Sequence, residues 1–137
     1  MNVRERASWW IRVAERDIER ALDSLSRGDK AAATFWAQQA AEKALKGLLL
    51  LFKGSFPSSH SIRRLIEELN MDLGLSEEEL EEAYELTQYY YLSRYPDVVE
   101  GVPDEAISWR AAEKAVAISR RIVEAAKRAL EQGVRAS

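Results

Sequence analysis

Residues Trp36–Leu50 read WAQQAAEKALKGLLL, and this run decides the fold class. Its alanines and leucines recur at three- and four-residue steps, the period of one face of an α-helix. Extended outward, the stripe runs through Ala33, Ala37, Ala40 or Ala41, Ala44, Leu48 and Phe52. It predicts one helix from about Lys30 to Lys53. The alanine half permits close approach of a neighbouring helix, and the leucine half supplies bulk. Gly28 with Asp29 on one side, and Gly54 with Pro57 on the other, are the breaks expected at its ends.

The same period governs both flanks. Upstream, Ala7, Ile11, Ala14, Ile18, Ala21 or Leu22, and Leu25 predict a first helix closed by Gly28. Downstream, Ile62, Leu65, Ile66 and Leu69 mark a shorter helix from about Ser59. Ser76 and Glu79 have capping-box spacing and open a helix that runs into the tyrosines, with Pro96 at its end. Pro103 restarts the chain with Asp104 as an N-cap. The last helix carries Ala111 or Ala112, Ala115, Ile118, Ile122, Ala125 or Ala126, and Leu130. No alternating strand pattern of useful length and no internal repeat occurs. The expectation is one all-α domain over residues 1–137, an up-and-down antiparallel bundle of four main helices plus one short helix.

Composition narrows the function. Apolar residues make up 47% and charged residues 31%, ordinary for a globular domain. With 20 basic and 23 acidic residues the net charge is -3, which argues against a generally basic nucleic-acid binder. There is no cysteine and one histidine, His60, so a metal site of thiolates or imidazoles is not expected, nor is a cofactor. The N-terminus lacks the apolar core of a signal peptide, and the longest apolar run, Gly47 to Phe52, is too short to span a bilayer. A cytoplasmic protein with no membrane partner is expected. Scarce asparagine and abundant Glu and Arg lean toward a thermophilic source.

Candidate chemistry lies in three places. Gln39, Glu42, Lys43 and Lys46 fall on one polar face, with Glu42 and Lys46 in the favourable i, i+4 order. That face suits solvent; alternatively, Lys43 and Lys46, one turn apart, offer ammonium groups to a phosphate. His60 follows two serines at a helix start, where histidine usually caps or packs, and Arg63 and Arg64 lie nearby. The segment Tyr89–Asp97, YYYLSRYPD, is the least helix-like in character. Tyr90, Tyr91 and Arg94 share one flank of the helix end. Arg94 can grip a carboxylate or phosphate with two prongs or stack on a ring. Asp97 is an alternative internal partner for Arg94, and tyrosines at this spacing also suit a core or subunit interface. No nucleophile–base–orienter motif and no phosphate-cradling glycine loop is present.

At these residues the chain resembles a HEPN domain (higher eukaryotes and prokaryotes nucleotide-binding) of the prokaryotic stand-alone type. The features that carry it, in order, are Trp10 with Ala14, Asp17 and Ile18, then QQAAEKALKGLL within Ala33–Leu49. His60 comes next, followed by Tyr91 with Arg94, Tyr95, Pro96 and Asp97. Together they span about Trp9 to Leu130. The resemblance implies a helical bundle that commonly forms homodimers, often encoded beside a minimal nucleotidyltransferase in toxin–antitoxin or defence pairs. A similar bundle is fused to nucleotidyltransferase domains in aminoglycoside-modifying enzymes. Many HEPN domains are metal-independent endoribonucleases whose motif is an Arg followed after four to six residues by a His. After Arg94, however, Val99, Glu100 and Gly101 stand where that His belongs, and His60 lies upstream. The ribonuclease activity is therefore not carried over. The expectation is a non-catalytic bundle working as a homodimer with a nucleotidyltransferase partner. It would bind a nucleotide or RNA phosphate through Lys43, Lys46, His60, Arg94, Tyr95 and Asp97, with Tyr90 and Tyr91 at the interface. The alternatives are a ribonuclease toxin using His60 from elsewhere in the dimer, and a purely structural bundle that binds a partner protein.

Overall fold

The computed structural model describes residues 2–136, with side chains described through Gln132. Among these residues there is no strand. The elements are α1 (Val3–Ser26), α2 (Lys30–Lys53), α3 (Ile62–Leu69), α4 (Glu77–Glu85), a 3₁₀ turn (Leu86–Gln88), α5 (Tyr89–Leu92), α6 (Pro96–Val99), α7 (Pro103–Ala106) and α8 (Trp109–Ala136). The architecture is the expected all-α bundle, in which α1, α2, the α4–α5 run and α8 are the main members.

α2 forms where the alanine–leucine stripe puts it and is the central helix. It packs against α1, α8, α3 and α5, so it is buried on more than one side. Ala33, Ala37, Ala40, Ala41, Ala44 and Leu48 are fully buried as the period requires. Phe52 departs from it: the stripe ends at Leu50, and the Phe52 ring is 51% exposed. At Gly47 the α1 backbone comes close. A Cβ built there would sit 2.6 Å from Ile11 Cγ1 and 3.2 Å from the Ala7 carbonyl oxygen, so only glycine permits this helix spacing.

α8 covers the opposite flank of α2. Of the sequence alternatives, Ala112 and Ala126 are the buried ones, and Val116, Ser119 and Val123 widen the stripe. The Ser119 hydroxyl donates to the Ala37 carbonyl across 2.6 Å, satisfying a buried hydroxyl between α8 and α2.

Three boundaries differ from the sequence expectation. α3 starts at Ile62 rather than Ser59, with Ser61 as its N-cap, so His60 lies in the preceding loop. The backbone N–H of Ile62 donates to Thr87 Oγ1 at 3.0 Å, a cap supplied from another element. The Ser76–Glu79 capping box is present, but its helix tightens into the 3₁₀ turn before the tyrosines. Pro96 does not end that helix. α5 stops at Leu92, and Pro96 occupies the first turn of α6, where a missing N–H costs nothing.

Asp104 is the clearest correction. It lies inside α7 and does not cap it. Its carboxylate accepts from the backbone N–H groups of Lys30 (2.8 Å) and Ala31 (3.2 Å), capping α2 from 74 positions away. α8 takes its cap from Ser108, whose hydroxyl accepts from Ala111 N–H at 3.0 Å. No helix among the described residues is long and apolar enough to cross a membrane.

Candidate functional site

The polar face of α2 is inside the protein. Glu42 is 6% exposed and Lys46 7% exposed, which only full pairing permits. Glu42 Oε2 accepts from Lys46 Nζ at 3.1 Å, and Glu42 Oε1 accepts from Gln38 Nε2 at 2.9 Å. Gln39 Nε2 donates in turn to Gln38 Oε1 at 2.7 Å. The Lys46 ammonium also lies 5.3 Å from the Phe56 ring centroid and 5.9 Å from that of Trp10. Its charge is taken up internally.

His60 completes this network. Its Nδ1 lies 3.0 Å from Glu42 Oε1, while half of the side chain faces solvent. A carboxylate there favours a proton on Nδ1 and leaves Nε2 to point outward. The imidazole stacks on Tyr90 with centroids 4.3 Å apart and planes at 21°. The Arg94 guanidinium lies over the same Tyr90 ring at 4.5 Å, and near Phe35 (5.0 Å) and Tyr95 (5.1 Å). Arg94 Nε and Nη2 both donate to the Tyr90 carbonyl, at 3.0 and 2.8 Å, so the side chain closes the C-terminus of α5. A guanidinium has about five N–H donors, and those not directed at this carbonyl remain for a ligand.

The structure therefore brings His60, Tyr90, Arg94 and Tyr95 into one connected edge, with the α2 carboxylate Glu42 beneath His60. Tyr91 and Tyr95 flank it with rings 49% and 45% exposed and centroids 6.3 Å apart. Tyr90 is half-buried under His60 and Arg94, so of the two candidate interface tyrosines Tyr91 is the one turned outward. Lys43 is directed elsewhere. Its ammonium pairs with Asp17 Oδ2 of α1 at 2.6 Å, and Arg20 holds Asp17 Oδ1 at 2.7 Å. Asp17 is wholly buried, which explains why two cations converge on it. Asp97 is exposed, and no ion pair among the described residues joins it to Arg94.

Sequence reasoning missed the role of Glu42, Gln38 and Phe35. The usable signal was an acidic residue on the most apolar helix, since a carboxylate there either faces out or needs buried partners. No group of three or more His, Cys, Asp or Glu side chains able to hold a metal occurs among the described residues.

The comparisons with known proteins agree with this architecture. The HEPN domain family model matches residues 7–129. The crystal structure of TT1696 from Thermus thermophilus superposes with a TM-score of 0.81 at 37% identity, covering 93% of this chain and 98% of that one. That of ST0689, an archaeal HEPN homologue, gives 0.72 at 38% identity, covering 90% of this chain and 97% of the other. No curated protein matches. With a family model over nearly the whole bundle and such similar solved structures, the chain belongs to the HEPN domain family.

Proposed function

We propose that this HEPN bundle binds a nucleotide or a nucleic-acid phosphate at the His60–Tyr90–Arg94 edge without cutting RNA. In this proposal it acts as a cytoplasmic homodimer with a minimal nucleotidyltransferase partner, in a toxin–antitoxin or defence pair. One observation carries the binding half: a guanidinium held over the Tyr90 ring by two bonds to a carbonyl, with the half-exposed His60 imidazole stacked on the same ring. Such an arginine needs little reordering to receive a phosphate, and the half-exposed rings of Tyr91 and Tyr95 suit base stacking. Lys46 contributes through Glu42, which it neutralises and which also meets His60, whereas Lys43 is held at Asp17. The non-catalytic half rests on Val99, Glu100 and Gly101 standing where the family motif needs its histidine. Titration of the purified protein with ATP, GTP and short RNA tests the binding half. Arg94→Ala is expected to weaken binding about tenfold or more, the loss of a charge-assisted contact. Absence of wild-type binding, alone and with the partner, would overturn it.

The Glu42–His60 contact favours a second function, ribonuclease action, because it fixes the tautomer of a histidine stacked on the ring that Arg94 also covers. An RNA cleavage assay decides between the two. Cleavage by wild type that His60→Ala abolishes would establish the ribonuclease; equal or absent cleavage removes it.

A further inference from the structure

Exposed apolar side chains gather on one stretch of this chain. Of the ten large ones among the described residues, Tyr91, Tyr95, Val98, Val102 and Trp109 lie within nineteen positions. Scattered singly they would be ordinary; gathered, they mark a contact surface. From Arg94 to Ala106 no residue is buried. The four-residue helices α6 and α7 are too short to hold by themselves, and Asp104 pins this arm to the start of α2. Between Tyr95 and Trp109 the arm has Asp97, Glu100, Asp104 and Glu105 and no lysine or arginine. With Asp104 used at α2, the other three carboxylates form no ion pair among the described residues.

The complementary surface is on the same chain. On the outer side of α1, Trp9 and Val13 are exposed one turn apart, and with Trp10 and Lys43 they line a groove of about 270 Å³. A cavity of about 150 Å³ accepts benzene, so this groove has room for two valine side chains. Arg12 and Arg16 border the same pair and form no ion pair among the described residues. Glu15 beside them lies 3.8 Å from Lys127, which leaves Glu19 as the opposing charge at the groove. We infer that the arm Tyr95–Trp109 of one copy docks on the Trp9–Val13 face of α1 in a second copy. Val98 and Val102 enter the groove, and Asp97, Glu100 and Glu105 meet Arg12 and Arg16. Charge selects this pairing. Two arms together would set three carboxylates against three, and two α1 faces would set arginine against arginine. A contact between unlike surfaces runs head to tail, so it adds copies to a ring or a filament rather than closing a pair. It is additional to the homodimer of the proposed function and needs no phosphate ligand.

Light scattering and paramagnetic NMR on the full-length protein test this contact. The mass is expected to rise with protein concentration and to fall with added salt. Glu100→Arg with Glu105→Arg reverses the arm, and Arg12→Glu with Arg16→Glu reverses the α1 face. Each pair alone is expected to weaken association about tenfold or more, and mixing the two variants is expected to restore it. The chain has no cysteine, so a nitroxide on Ala106→Cys labels the exposed arm alone. Mixed with isotope-labelled wild type, it is expected to broaden the Trp9 and Val13 signals of the other copy. A mass independent of concentration, broadening centred on the arm instead of α1, wild-type association of the α1 variant, or no association in the mixture would overturn the inference.

Discussion

Glu42 organises the interior chemistry of this protein. One carboxylate accepts from Lys46, Gln38 and His60, and each partner lies within about hydrogen-bond range. Removing it would leave the Lys46 ammonium buried with only aromatic neighbours, which water cannot compensate. Glu42→Ala is therefore expected to destabilise the fold by about 3–5 kcal/mol, read from the urea unfolding midpoint. A loss below about 1 kcal/mol would mean that Lys46 reaches solvent in the variant. The same variant frees the His60 ring, so it should also disturb the stacking on Tyr90. Asp17 repeats the pattern one layer away, with Lys43 and Arg20 as its cations. Both carboxylates show how an apparently solvated charge pattern becomes internal once a neighbouring helix covers it.

At the scale of elements, helices were legible wherever the apolar period is long and capped by local residues. α2 spans Lys30–Lys53 as expected and obeys its stripe as far as Leu50, with Asp29 accepting from Ala32 N–H and Gly54 in the left-handed region at its end. Ser76 and Glu79 mark the start of α4 for the same reason. What the sequence could not show are caps supplied by distant parts of the chain. Asp104 reads as the cap of its own short helix, because the local rule knows only neighbouring positions. Its carboxylate instead crosses to the N-terminus of α2, where the helix dipole and two free N–H groups receive it. Asp104→Ala is expected to cost about 1 kcal/mol, with increased amide exchange at Lys30 and Ala31. Unchanged exchange there would show that Asp29 alone suffices. The 3₁₀ turn at Leu86–Gln88 was equally hidden, since none of its residues is a helix breaker. Its Thr87 hydroxyl serves the start of α3, a partner 25 positions upstream.

Across the whole molecule, the bundle brings the α2 polar face, the loop before α3 and the end of α5 together. The segment Tyr89–Asp97 was legible as a candidate site because aromatic, cationic and proline residues are out of place in an amphipathic helix. Its connection to His60 was not, because that contact joins residues thirty positions apart in the chain through a ring stack. Lys43 and Lys46 were placed by spacing alone, which cannot tell a face that meets solvent from one that meets another helix. The central claim is that phosphate-bearing ligands bind at this edge rather than elsewhere on the bundle. Backbone amide shifts during titration with a short RNA test it directly. The account predicts saturable shifts centred on His60, Tyr90, Arg94 and Tyr95, all lost in Arg94→Ala. Shifts confined to another face, such as Trp9 and Val13 on α1, or no shifts at all, would contradict it.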